Sequence, residues 1–286
     1  MSSVAIMEKI FLNDKIIDIE EANLSVTDSG FLYGAGLFET MRSYNGKVFS
    51  LDDHLDRLFF SANALSIKID HERKFINDSI YNLIDANNLT DARLRLTISS
   101  GSMSLSQENK QATMLITATQ LQPYPKEYYE KGVLVTLCPY RQNTNDPTCG
   151  HKTTSYFSRM LALQNAHQKG AAEALWFTTD NKLAEGSVSN VFLVKNSTLY
   201  TPPLYTPVLA GIARKTICKI ALRDSIELVE KELNINDVLA AEEIFLTNVI
   251  MQVMPVVQVE KHIVNKGTVG ETTKLLIDKY NELVKS

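Results

Sequence analysis

The sequence predicts an α+β protein built as two domains, and three observations carry that prediction. A chain of 286 residues exceeds what one average domain needs. Strand-like runs and helical periods are mixed along it, with no internal repeat and no low-complexity stretch. Residues 120–126 hold Pro123 and Pro125 and lack a hydrophobic period, which suits a linker. The expected division is a small N-terminal α/β domain over 1–119, a linker over 120–131 and a larger domain over 132–286.

The elements follow in order. Strand-like runs at 9–12 and 15–17 flank Asn13-Asp14, a two-residue hairpin turn. Tyr44-Asn45-Gly46-Lys47 forms another turn. Ser50 reads as an N-cap before acidic Asp52 and Asp53, and Leu55, Leu58, Phe59, Ala62 and Leu65 keep helical spacing, so 52–66 is an amphipathic helix. A second helix covers 72–86; strands follow at 92–99 and 112–119, with polar 101–111 between them. Beyond the linker, 133–138, 174–178, 191–195 and 244–246 read as strands. Helices cover 156–168, closed by Gly170, and 212–222, while 199–207 reads as a proline-rich loop.

Composition bounds the function. Hydrophobic residues make up 44% and charged residues 22%, as in soluble globular proteins. A net charge of -4 and a pI near 5.8 argue against a general nucleic-acid binder, though not against a local anion site. Cys138, Cys149 and Cys218 lack paired spacing, so neither a disulfide framework nor a zinc site is expected. Residues 1–10 carry Glu8 and Lys9 and do not read as a signal peptide, and no run approaches a membrane span. The expectation is a cytoplasmic protein with no metal and no membrane or nucleic-acid partner.

Five segments hold residues suited to chemistry, each with a plain reading beside the sharper one. Lys152, in Gly150-His151-Lys152-Thr153-Thr154-Ser155-Tyr156, is either a solvated charge or an amine held in a cleft. Lost solvation lowers an amine's pKa and makes it an imine former and proton carrier. Glu185-Gly186-Ser187-Val188-Ser189-Asn190 is either a turn into a strand or a carboxylate aimed at a cofactor base, its loop tied by Ser189 and Asn190. Arg57 lies on the 52–66 helix, where an arginine is ordinarily a solvated partner of a neighbouring acid. Gly211-Ile212-Ala213-Arg214 opens a helix whose free N–H groups can meet an anion. Thr247-Asn248 follows a strand, as phosphate contacts and plain turns both do.

Their joint order resembles one family, the class IV aminotransferases, also called fold-type IV pyridoxal 5′-phosphate (PLP) enzymes. The resemblance runs from Thr27 to about Val256. It rests on Asp28-Ser29-Gly30-Phe31-Leu32-Tyr33-Gly34-Ala35-Gly36-Leu37-Phe38-Glu39-Thr40, on His54-Leu55-Asp56-Arg57-Leu58, on Lys152-Thr153-Thr154-Ser155-Tyr156, and on the segments beginning at Glu185, Gly211 and Thr247. The interval from Lys152 to Glu185, 185 − 152 = 33, fits the family's lysine-to-glutamate spacing.

The resemblance implies a two-domain fold whose larger domain has a β-barrel-like core. It implies that Lys152 is the catalytic residue carrying PLP as a Schiff base, with Glu185 against the pyridine nitrogen and Tyr156 near O3′. Arg57, the N–H groups of Gly211 and Ile212, and Thr247 would contact the phosphate. Tyr33 and Phe38 match substrate-pocket positions, and such loops in this family reach a neighbouring subunit, implying a homodimer. Arg95 matches a substrate-carboxylate position of branched-chain aminotransferases; with Arg93 it shares one strand face, and both read equally as solvated.

Two departures leave the substrate open. D-amino-acid transaminases and many aminodeoxychorismate lyases carry an arginine where this chain has Ser99-Ser100-Gly101. The branched-chain pattern is also incomplete, because Tyr156 sits four residues after Lys152, not five. The leading expectation is a ping-pong transaminase acting between a branched-chain L-amino acid, on the likeness of Tyr33-Gly34-x-x-x-Phe38-Glu39, and 2-oxoglutarate or another 2-oxo acid. A 4-amino-4-deoxychorismate lyase and a D-amino-acid transaminase are the alternatives.

Overall fold

A computed structural model describes residues 9–101 and 112–285, the side chain of Lys285 excepted. The expected polar connection at 101–111 falls, after Gly101, outside the described residues, as do residues 1–8. The chain forms two compact units: residues 1–122 with His151–Tyr156, and Pro123–Gly150 with Phe157–Ser286.

The first unit is built on a six-stranded antiparallel sheet. Its elements are β1 (Lys9–Leu12), β2 (Lys15–Asp18), α1 (Ser29–Tyr33), β3 (Gly36–Tyr44), β4 (Lys47–Val48), α2 (Leu51–Ala64), α3 (Arg73–Ala86), β5 (Ala92–Ser99) and β6 (Met114–Gln120). The strand order is β2-β1-β6-β5-β3-β4. Both predicted hairpins form, pairing Leu12 with Lys15 and Tyr44 with Lys47. Asn45 and Gly46 sit at φ 49° and 80°, the left-handed pair that a two-residue hairpin turn needs. β5 alternates as its sequence predicts: Ala92, Leu94, Leu96 and Ile98 are buried, while Arg93 and Arg95 face outward. Leu51, Leu55, Leu58 and Ala62 of α2 and Ile76, Ile80, Leu83 and Ile84 of α3 pack on that buried face. Each such large aliphatic side chain stabilises the unit by about 1.5–3 kcal/mol. Ser50 is not the side-chain cap expected: it adopts φ 50° and makes no capping hydrogen bond.

The second unit holds α4 (Lys126–Lys131), β7 (Val133–Gln142), α5 (Phe157–Gln168), β8 (Glu173–Thr178), β9 (Leu183–Gly186), β10 (Asn190–Lys195), β11 (Thr198–Thr201), α6 (Ile212–Arg223), β12 (Leu228–Glu230), α7 (Ile235–Leu239), β13 (Glu243–Asn248), β14 (Gln252–Val259), β15 (His262–Ile263) and α8 (Glu271–Lys285). Its nine strands run β12-β11-β10-β13-β14-β7-β8-β9, with β15 on β14. α5 links the parallel pair β7 and β8.

The sheet of this unit must curl. β10 and β9 are five steps apart in the strand order, about 24 Å across a flat sheet. Gly186 and Asn190, which end one and begin the other, are four residues apart and span at most ~14 Å of chain. Gly186 N–H also donates to the Ser189 carbonyl at 2.7 Å, drawing the ends together. The barrel-like core expected of the larger domain is this half-barrel.

Three local expectations change. The stretch read as a linker is not structureless: β6 runs to Gln120 and residues 126–131 form α4. The start of 199–207, read as loop, belongs to β11 (Thr198–Thr201), drawn into the sheet by β10 and β12. His151–Tyr156, read as part of the larger domain, groups with the first unit because its backbone pairs with β3.

Candidate active site

The candidate residues fall into two groups, one in each unit. In the first, the segment bearing Lys152 is laid along β3. Phe38 N–H donates to the Lys152 carbonyl at 2.9 Å, Thr154 N–H donates to the Gly36 carbonyl at 2.8 Å, and Thr153 bridges Leu37. Thr154 Oγ1 donates to the Gly34 carbonyl at 2.7 Å. Gly34, at φ 68°, lets this approach happen, because a Cβ there would lie 3.0 Å from Ser155 Cα.

The backbone of Lys152 is therefore fixed, and its half-buried side chain is directed over an aromatic wall. Nζ lies 4.4 Å from the Phe38 ring centroid and 5.8 Å from that of Tyr156. The two rings meet edge to face at 5.3 Å. The Arg95 guanidinium lies 3.8 Å over the same Phe38 ring. Lys152, Tyr156, Phe38 and Arg95 are thus brought together, whereas Tyr33 is 66% exposed on α1.

Arg57 is held by a buried acid that sequence reading did not select. Its Nε donates to Glu39 Oε1 at 2.8 Å and its Nη2 to Glu39 Oε2, a two-point grip. His54 Nδ1 stands 2.7 Å from the same Oε2. Burial alone would raise the Glu39 carboxyl, but the Arg57 charge and the His54 hydrogen bond outweigh it and hold it at about 2. Burial depresses His54 despite Glu39, which keeps the imidazole neutral. Its Nδ1–H then donates to Glu39, leaving Nε2 an acceptor that is buried without a hydrogen-bond partner among the described residues.

In the second unit, Glu185 lies on β9 and is 4% exposed. Its Oε2 accepts the Leu209 N–H at 3.0 Å and stands 3.4 Å from Asn190 Nδ2; its Oε1 accepts from Arg159 Nη2 at 2.6 Å. Asn190 Nδ2 also donates to the Leu209 carbonyl at 2.9 Å, so this amide ties the loop before α6 to β10. Gly211 precedes α6 with no side-chain cap. A Cβ at Gly211 would fall 1.9 Å from Asn190 Oδ1, so a larger residue would have to displace that amide. Thr247 on β13 stands in register with Asn190, and its Oγ1 is buried without a partner among the described residues.

A buried hydroxyl left alone is costly, and one in register with Asn190, which packs on a helix start lacking a side-chain cap, fits an oxyanion. The Gly211 N–H, expected from the sequence to meet such an anion, instead donates to the Leu209 carbonyl at 2.8 Å, which leaves the helix start at Ile212 and the Thr247 hydroxyl as the groups that fit one. Ser189 does not join them, because its hydroxyl donates to Glu173 at 3.0 Å. Glu173, fully buried, also accepts the N–H groups of Ala174, Ser187 and Val188. Burial nonetheless pushes its carboxyl up. The loop after Glu185 is shaped around this acid.

Sequence reading missed Glu39, His54, Glu173 and Arg159. Glu39 and Glu173 sit inside apolar strand runs, where a lone acid needs a buried partner, and that signal was present in the sequence. Arg159 carries none, since an arginine in the first turn of a helix is ordinary.

The model of the family described as amino-transferase class IV matches residues 36–259. A branched-chain-amino-acid aminotransferase of Pseudomonas aeruginosa is 31% identical over 284 residues, covering 96% of this chain and 92% of that one. An aminodeoxychorismate lyase of Bacillus subtilis is 32% identical over 283 residues, covering 97% and 95%. Among solved structures, the branched-chain aminotransferase of Thermoproteus uzoniensis with norvaline superposes with a TM-score of 0.89 at 28% identity, covering 96% and 94%.

Proposed function

The chain belongs to the class IV amino-transferases, enzymes that use PLP, and on that basis we propose that it moves an amino group between a branched-chain L-amino acid and 2-oxoglutarate or another 2-oxo acid, with PLP held on Lys152. The observation that carries this reading is the seat of Lys152: its backbone is bonded to β3 and its amine stands 4.4 Å from the buried Phe38 ring.

Supporting residues divide the remaining work. Thr247, the Ile212 N–H and Arg57 would hold the phosphate, with Gly211 allowing the close approach before α6, and Glu185 would face the pyridine nitrogen. When bound, PLP supplies an electron sink for the α-carbon. Once the amino group of the donor displaces it, Lys152 Nζ would carry the proton from the donor's α-carbon to the cofactor's C4′, and in the opposite direction in the second half of the cycle. Phe38 and Tyr156 shield that amine from water and offer an apolar wall to a branched side chain. Arg95, over the Phe38 ring, would receive the substrate carboxylate. The exposed Phe31, Leu32 and Tyr33 support a homodimer, and we place the enzyme in the cytoplasm.

A second reading, lyase action on 4-amino-4-deoxychorismate, is favoured by the 32% identical relative so named. Against it and against D-amino-acid transamination stands Ser100, the residue before Gly101, where those enzymes bring an arginine; the adjoining Ser99 hydroxyl is buried and donates to Asp28 Oδ2 at 2.6 Å. Parallel assays decide. Glutamate formed from L-leucine and 2-oxoglutarate supports the transaminase; pyruvate released from aminodeoxychorismate with no 2-oxo acid supports the lyase; and turnover of D-alanine alone would overturn the L-specific reading.

A further inference from the structure

Arg159 has no part in the assignments above, yet its guanidinium is among the most constrained groups of the second unit. It is the third residue of α5. Nη2 donates to Glu185 Oε1 at 2.6 Å and to Gln142 Oε1 at 3.2 Å, and Nη1 donates to the Gly186 carbonyl at 3.0 Å. Its Cζ lies 5.3 Å from the ring centroid of Trp176, whose indole N–H donates to Ser187 Oγ at 3.0 Å. Three acceptors and an aromatic face thus meet one planar cation, a fit that lysine's single ammonium cannot reproduce.

The carboxylate it grips is correspondingly fixed. Side-chain exposure is 6% for Glu185 and 20% for Arg159, so the pair is screened little by solvent. Arg159 occupies Oε1 while Leu209 N–H and Asn190 attend Oε2, which leaves the carboxylate plane one orientation. An ionised carboxylate has about four lone-pair sites, so room remains for one further donor.

We propose that Arg159 is the positioning residue of the site: it orients Glu185 and tempers the negative charge that this carboxylate presents to the cofactor's pyridine nitrogen. The inference rests on the proposed role of Glu185 and adds a determinant to it. Positive charge 2.6 Å from Oε1 offsets part of the field of Glu185, so Arg159 sets how firmly the facing nitrogen keeps its proton. Removing it leaves a buried charge without its partner.

The test uses full-length holoenzyme loaded with PLP carrying 15N at the pyridine nitrogen. Wild type, R159L, R159K and Q142A are compared by the 15N shift and by the dissociation constant for PLP. R159L is expected to move the nitrogen resonance and to weaken PLP binding about tenfold or more, the scale on which loss of a ligand's supporting partner acts. R159K, which restores charge without the fork, should recover part of the shift. Q142A, which loosens Arg159 without touching Glu185, should move the resonance slightly the same way and keeps the test open if R159L does not fold. A wild-type resonance and wild-type PLP affinity in R159L, even with slower turnover, would overturn the proposal, as would a wild-type resonance in Q142A and R159K together. Failure of the underlying reading looks different: E185Q would then leave the resonance unmoved.

Discussion

Arg57 grips Glu39 through two nitrogens, Nε at 2.8 Å to Oε1 and Nη2 to Oε2, so the arginine is oriented by its own unit before any ligand arrives. A bidentate pair adds geometric definition as well as attraction. Disturbing the acid should therefore act through the arginine. In Glu39→Gln the amide cannot accept at both positions, and PLP affinity is expected to fall about tenfold or more, a scale common for supporting residues of a ligand site. Fluorometric titration with PLP checks this; unaltered affinity would separate Arg57 from the cofactor.

The same cluster should shape stability against pH. Glu39 has a folded value of about 2 against an ordinary 4.5. A depressed carboxyl stabilises fully above its unfolded value and loses that contribution as pH falls from 4.5 towards 2. The amount is on the order of 3 kcal/mol by linkage. His54 is depressed too, so its contribution begins to disappear earlier, as pH drops below the ordinary 6.5. Urea unfolding from about pH 7 to about pH 5, the window in which an ordinary histidine titrates, should show stability falling in wild type and a flatter dependence in His54→Gln. An equal slope in both would show that His54 titrates normally in the folded chain.

Thr247 offers a cleaner separation of folding from binding. Its buried Oγ1 bonds to nothing described in the protein, so Thr247→Val should leave the cofactor-free chain equally stable or slightly more so. Binding of PLP should weaken by about 1.5–3 kcal/mol, the worth of a hydrogen bond to a charged group. Thermal melts with and without PLP measure both. A lower melting temperature without PLP would mean that the hydroxyl serves the fold.

Gly211→Ala tests the cradle before α6. The added Cβ would meet Asn190 Oδ1 at 1.9 Å, so Asn190 must move and its bond to Leu209 strain. A loss of about 1–3 kcal/mol in stability is expected from overpacking, with PLP affinity falling in parallel. Wild-type stability in chemical denaturation would show that the loop yields freely.

Much of the fold was legible where the determining contacts are local. The stripe of Leu51, Leu55, Leu58 and Ala62, the alternation along β5 and the Asn45-Gly46 turn each encode their structure within a few residues. The curl of the second sheet was not legible from pattern, because it follows from strand order. That order brings β9 and β10 to opposite parts of one ladder. His151–Tyr156 escaped for a related reason: its partner strand β3 lies more than a hundred residues earlier in the sequence. In the site, the motif order picked out Lys152, Glu185 and Arg57, but not the groups that hold them. Glu39 and Arg159 act through pairings between distant segments, with Arg57 and with Glu185, and spacing along the chain does not record such pairs.

Lys152 as the carrier of the cofactor is the centre of the proposed mechanism, and one measurement addresses it directly. The purified chain is incubated with PLP, its visible spectrum is recorded, and it is then reduced with borohydride and mapped by peptide mass spectrometry. The expected result is a yellow absorption band that reduction abolishes, with the phosphopyridoxyl mass on Lys152 and no band in Lys152→Ala. A band that survives in Lys152→Ala, or the adduct on a different lysine, would contradict it.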